Sequence, residues 1–216
     1  MQTLCERDID LSVIIPVYNL ERWLTPMLNS LKAQDHGKYK VEHIFVLNNC
    51  TDLSEMVIRD SDLECQILEC KTQGCGAARN VGFEASKGKY IWFMDGDDWL
   101  LSESAIKNAM DWAIREGTDI LRIPFDSQYF TYQYFSMVWQ YLFKREFIEE
   151  FRFPNIQPSE DDAYMDLVLG KKGLNRMNYF MLPYIPQTLY YYNYLREGSN
   201  MYRWHILGER DLLGKL

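Results

Sequence analysis

Tyr90 to Trp99 reads YIWFMDGDDW, an apolar run that stops abruptly at Asp95, Asp97 and Asp98 around a single glycine. Such a run predicts a buried strand. Carboxylates massed at its carboxyl end repel one another unless a cation or a sugar hydroxyl lies between them. If the backbone stays extended, Asp95 and Asp97 project to the same face, where hard oxygen ligands suit magnesium or manganese. The competing reading is a solvated acidic turn, since Asp and Gly are common turn formers. The segments on either side decide between the two.

Upstream, strand-like and helix-like segments alternate, the pattern of a parallel sheet covered by helices. Strands are predicted at Ser12 to Val17, His43 to Leu47, Cys65 to Leu68, Tyr90 to Met94 and Asp119 to Ile123. Trp23, Leu24, Met27, Leu28 and Leu31 fall at helical spacing and predict an amphipathic helix to about Gln34. Ala77 to Ser86 is a helix of small residues, suited to close packing. Another is predicted from a cap at Ser102 to Arg115, with Gly117 as its stop. Past Pro124 the chain turns aromatic and irregular, with Tyr129, Phe130, Tyr132, Tyr134, Phe135, Trp139, Tyr141 and Phe143 in close succession. No linker, repeat or low-complexity segment divides it. The expectation is one α/β domain over residues 1–216, with an alternating strand–helix half at about 11–123 and an aromatic-rich half at about 124–216.

Composition sets the outer limits. With 216 residues, 47% of them hydrophobic, the chain can bury a substantial core. A net charge of -8 and the lack of a Lys/Arg stripe argue against nucleic acid as a partner. The opening MQTLCERDID has neither the basic nor the apolar part of a signal peptide, and no apolar stretch is long enough for a membrane span, so cytoplasmic residence is the default expectation. Five cysteines without a Cys-x-x-Cys pair, beside three scattered histidines, point to free thiols in the core rather than to zinc.

In an open α/β sheet, ligands sit beyond the carboxyl ends of the strands. Pro16 to Asn19, Asn48 to Asp52 and the aspartates end three strands, so one crevice can hold all three groups. Gln73 to Gly82, QGCGAARNVG, adds glycines that admit a ligand to the backbone and Arg79, whose forked donors suit a diphosphate. A dinucleotide fingerprint does not fit, because the third glycine is missing and the segment does not follow the first strand. A nucleotidyltransferase does not fit either, because Tyr18-Asn19-Leu20-Glu21 is no glycine-rich, lysine-containing loop.

Taken together, SVIIPVYN at 12–19, QGCGAARNVG at 73–82, FMDGDD at 93–98, SEDDAY at 159–164 and YNYLREGS at 192–199 resemble, in order, the motifs of the family 2 glycosyltransferases. The resemblance implies a GT-A fold, with about 11–123 as the nucleotide-sugar-binding half and about 124–216 as the acceptor-side half, and an inverting, metal-dependent transfer of sugar from a nucleoside-diphosphate sugar, a UDP-sugar by expectation, to an acceptor hydroxyl on a glycan or lipid-linked sugar. It implies that Pro16, Val17 and Tyr18 frame the nucleotide, that Arg79, Arg196 and Ser199 attend the diphosphate, that Asp95 holds the ribose or sugar, that Asp97 binds Mn2+ or Mg2+, and that Asp161 is the base. One departure stands out: Asn48-Asn49-Cys50 replaces the usual Asp-Asp-Gly, so that Asn48 stands where an aspartate contacts uracil. Its amide can still pair with a pyrimidine edge. The alternative reading is a nucleotide-sugar-binding protein of the same fold with little turnover, for which Asn48 and Asn49 are the hint. Surface polysaccharide synthesis is the expected setting, with the inner membrane face left open. The helix-like end at 201–216 leaves docking on the sheet, homodimerisation or peripheral membrane contact open, and docking is favoured.

Overall fold

The computed structural model describes residues 8–127, 137–156, 159–175, 177–193 and 197. Arg196, Ser199, the 201–216 segment and the aromatics at 129–135 lie outside the described residues.

Strands β1 (Leu11–Val17), β2 (Val41–Asn48), β3 (Gln66–Cys70) and β4 (Tyr90–Phe93) run parallel in the order β3-β2-β1-β4. Helices α1 (Leu24–Lys32), α2 (Ser54–Arg59) and α3 (Cys75–Ala85) connect them. Every residue of β1 is buried because helices cover both faces, which is why its sequence is continuously apolar rather than alternating. Its pleat still sorts the side chains. Val13, Ile15 and Val17 join Leu24, Met27, Leu28 and Leu31 of α1, while Ile14 faces Phe83 of α3 in a second cluster.

The sequence reading of the first half holds to within two or three residues at most boundaries, with two omissions, α2 and the two-residue strand at Trp99–Leu100, and one wrong cap. Helix α2 has only six residues, too few for a helical period to register. Helix α4 (Ala105–Glu116) starts after Ser104 without a side-chain cap, and the Ser102 hydroxyl is buried with no hydrogen-bond partner among the described residues. Its other end matches expectation, with Gly117 at φ 56° in the left-handed C-cap conformation that glycine tolerates best. The cysteine reading is only partly right: Cys70 is buried, whereas Cys50, Cys65 and Cys75 are half-buried free thiols.

The aromatic half does not stay apart. Beyond β5 (Trp99–Leu100), β6 (Ile120–Arg122) and β7 (Phe125–Asp126), strand β8 (Tyr141–Lys144) inserts between β4 and β6, antiparallel to both. The sheet is therefore mixed at that edge, in the order β3-β2-β1-β4-β8-β6. Short helix α5 (Arg145–Ile148) and helix α6 (Glu160–Lys171) follow, and β9 (Tyr190–Tyr191) joins β5 and β7 in a small second sheet. No helix among the described residues is long and apolar enough to cross a membrane.

Glycines set how deeply α3 sits. A Cβ on Gly82 would collide with Ile14 Cγ2 and lie 3.1 Å from Val46 Cγ2, so the helix rests directly on β1 and β2. A Cβ on Gly76 would lie 2.9 Å from Phe153 Cβ and 3.1 Å from Glu160 Cγ, so the start of the helix packs equally closely against α6. Gly82→Val is expected to lower stability by about 1–3 kcal/mol through overpacking. Urea denaturation checks this, and an unchanged midpoint would mean that α3 does not depend on this close approach.

Candidate active site

The loops at the carboxyl ends of β1 and β2 are laced together by short polar side chains. Asn19, at φ 50°, accepts the Thr51 N–H through its side-chain oxygen at 2.8 Å. The Glu21 N–H donates to Asp52 at 3.0 Å, and the Leu53 N–H donates back to the Glu21 carboxylate at 2.9 Å. Leu20 N–H donates to Ser54 Oγ at 2.8 Å. The two strand ends thus form one rim, as their sequence positions predicted. On that rim Tyr18 is 54% exposed, whereas the Val17 side chain is fully buried in the core and Pro16 is buried with it. Of the three residues expected to frame a nucleotide, only Tyr18 presents a side chain; Pro16 and Val17 have only their main chain to offer.

Asn48, expected to face a pyrimidine edge, has partners within the protein. Its side-chain N–H groups donate to the carbonyls of Cys70 (3.1 Å) and Thr72 (2.6 Å), and its oxygen accepts from Gly74 N–H (2.8 Å). The amide is buried and holds the β3–α3 loop against β2, with both of its N–H donors engaged there. Amide geometry explains the assignment, because the two carbonyls need donors that only the NH2 end supplies.

The aspartates after β4 are not in extended backbone either. Asp95 to Asp98 form a turn closed by Asp98 N–H to Asp95 carbonyl at 3.2 Å, so the shared-face argument for Asp95 and Asp97 does not apply. The turn itself brings these carboxylates together. Gly96 permits it, since a Cβ there would lie 2.8 Å from Leu20 Cδ1 and 3.3 Å from the Pro16 carbonyl. Asp95 and Asp97 remain partly exposed at the crevice, while Asp98 is 1% exposed and accepts bonds from Tyr190 Oη (2.7 Å) and Asn193 N–H (2.8 Å). Burial pushes the Asp98 carboxyl well up, with Asp97 and Asp95 adding to the rise and the Asn193 and Tyr190 donors opposing it.

No group of three or more His, Cys, Asp or Glu among the described residues forms a metal cage. Magnesium rarely uses a dedicated all-protein cage, and manganese shares its preference for hard oxygen ligands. They are held by one or two carboxylates together with substrate phosphates and water, and the partly exposed hard oxygens of Asp97 and Asp95 fit that donor set.

Arg79, expected near a diphosphate, is paired with carboxylates. Its side chain is 3% exposed; Nη1 donates to Asp161 at 2.5 Å and Nη2 donates to Asp95 at 2.8 Å, with Glu160 at 3.8 Å from Nη1. The fork expected to meet a diphosphate is spent on two carboxylates. Burial works against the charged guanidinium, but Asp161, Asp95 and Glu160 outweigh it and hold the pKa well above the usual value. Asp161 lies in the first turn of α6, where the helix N-terminus favours acidic residues, and 24% of its side chain stays exposed. Its pKa is pushed up to about 7, chiefly by burial, with Glu160 and Asp95 adding to the rise and Arg79 and the Val138 N–H opposing it. Glu160 is raised as well, first by burial and against Arg79. Asp162, next along the helix, is half-buried and makes none of these Arg79 contacts.

Comparison with known proteins gives this arrangement a family. The chain is 33% identical over 116 residues to the poly(ribitol-phosphate) beta-N-acetylglucosaminyltransferase TarS of Staphylococcus aureus, a match covering 52% of this chain and 20% of that protein. It is 28% identical over 236 residues to the glycosyltransferase GlyA of Streptococcus pneumoniae, covering 91% of this chain and 32% of the relative. It thus spans a fifth to a third of the length of these relatives. Among solved structures, residues 1–349 of S. aureus TarS in complex with UDP-GlcNAc superpose with a TM-score of 0.77 at 22% identity, covering 90% of this chain and 61% of that one. The mannosyltransferase PcManGT of Pyrobaculum calidifontis, in complex with GDP-Man and Mn2+, gives 0.70 at 18% identity, covering 89% and 59%. Both likenesses bear out the GT-A fold. The model of the family described as "Glycosyl transferase family 2" matches residues 12–177, from the opening strand through the aspartate turn to the α6 carboxylates, and the chain belongs to that family.

Proposed function

We propose that the crevice binds a nucleoside-diphosphate sugar, in the first instance a UDP-sugar, and transfers the sugar with inversion to an acceptor hydroxyl in the synthesis of a surface polysaccharide or related glycan. The observation that carries this reading is the Arg79 bridge, which sets the donor-side carboxylate Asp95 and the α6 carboxylate Asp161 on two arms of one guanidinium. Departure of a nucleoside diphosphate builds positive charge on the sugar and negative charge on the phosphate, and needs a base for the incoming hydroxyl. Asp161, with a pKa near the operating range, suits that proton transfer. Asp97, with Asp95 beside it, would hold a divalent cation, whose chemistry is to stabilise charge on the departing diphosphate. The names of two relatives, TarS and the minor teichoic acid biosynthesis protein GgaB of Bacillus subtilis, support a cell-surface glycan as the product.

A base must be ionised to accept a proton. Activity is therefore expected to fall as pH drops through about 7, where Asp161 gains its proton. Asp161→Asn should abolish this acid limb and cost on the order of 10² to 10⁴ in turnover while sparing donor affinity. Asp162→Asn should stay within a few-fold of the parent. Turnover and donor affinity of the two variants check the assignment, and a dead Asp162→Asn beside an active Asp161→Asn would move the base to Asp162.

Asp97→Asn is expected to remove the manganese dependence of UDP binding with the fold intact, because the exchange alters charge more than volume. Calorimetry with and without Mn2+ reads this directly, and retained metal dependence would exclude Asp97 as the ligand.

UDP is expected to bind more tightly than GDP, and Tyr18→Ala to weaken UDP by about 1–3 kcal/mol through loss of a stacking face. Competition binding decides between the bases. Tighter GDP binding would overturn the uridine assignment.

A further inference from the structure

The four residues that carry the crevice carboxylates are tied at both ends by one side chain from a distant strand. The Tyr190 hydroxyl accepts the Asp95 N–H at 3.1 Å and donates to the Asp98 carboxylate at 2.7 Å. The other Asp98 oxygen accepts the Asn193 N–H at 2.8 Å. A turn closed by a single 3.2 Å backbone bond is soft on its own, but here its first and last residues share a buried oxygen. Tyr190 is itself immobilised: its ring is fully buried and stacked on Trp139 at 4.7 Å, and its strand β9 is paired with β5 immediately after the turn. The two bonds of the hydroxyl go to the Asp95 N–H and the Asp98 carboxylate, so it acts through the turn it holds.

We infer that Tyr190 and Asp98 are positioning residues that fix the Asp95–Asp98 turn in the geometry its carboxylates need to bind a divalent cation with a nucleotide diphosphate. This rests on the metal reading of Asp97 given above. Outer partners of metal-binding groups matter because they remove the freedom of the ligand, and losing one typically weakens metal binding about 10- to 100-fold.

Tyr190→Phe keeps the ring on Trp139 and removes only the shared oxygen. Tyr191→Phe, one residue along the same strand, is the control, since Tyr191 stacks on Trp99 at 4.2 Å instead. Calorimetric titration of UDP over a series of Mn2+ concentrations, with urea denaturation of the same samples, makes the test. The expected result is a Mn2+ half-saturation raised about tenfold or more in Tyr190→Phe and unchanged in Tyr191→Phe. A Tyr190→Phe variant with a lowered urea midpoint but parental Mn2+ half-saturation would make the hydroxyl purely structural and overturn the proposal. If the parent protein itself binds UDP without any Mn2+ dependence, the metal reading falls and the positioning role with it, a result distinct from parental metal dependence that the variant leaves untouched.

Discussion

A guanidinium removed from water must be surrounded by anions, and the buried Arg79 has three within reach: Asp161 at 2.5 Å, Asp95 at 2.8 Å and Glu160 at 3.8 Å. Removing one partner of such a buried pair generally costs about 3–5 kcal/mol, because the remaining charge is left uncompensated. The geometry is therefore firmly held even if its net contribution to stability is small. One positive charge among three negative ones also leaves an excess. Burial, with that excess added, raises both Asp161 and Glu160 and gives Asp161 a proton affinity suited to a base.

Delivering a charged side chain to that depth depends on small neighbours. Gly76 and Gly82 place α3 against α6 on one side and the sheet on the other, and Ala78 between them is fully buried. Larger residues at these positions would lift the helix, and Arg79 would no longer span from the β4 turn to the start of α6. A motif rich in glycine and alanine thus seats one arginine.

What was legible in the sequence was local. Apolar runs and helical spacing located the four parallel strands and helices α1, α3 and α4, and Gly117 marked a helix end, whereas the 12-residue α6 was not among the predicted helices. Partners distant in sequence were not legible. Arg79 meets Asp161 across 82 positions and Asp98 meets Tyr190 across 92, and neither pairing leaves a periodic trace. Strand β8 was hidden for a similar reason: YLFK sits within an aromatic stretch, and only its place between β4 and β6 makes it a strand. Individual site residues were found by type, yet the partners of Arg79 and Asn48 and the burial of Val17 came only with the fold.

Asn48 shows how a departure from a family pattern acquires a physical cause. The side chain at this position faces the carbonyls of Cys70 and Thr72 and the N–H of Gly74, so it must donate twice and accept once. An ionised aspartate accepts only and would set negative oxygen against two carbonyl oxygens in a buried place. With the loop folded this way, the amide is the side chain whose donors and acceptor match all three partners. The exchange of Asp for Asn therefore speaks first to the shape of the β3–α3 loop, which leads directly into the helix that carries Arg79, and only through that loop to the nucleotide.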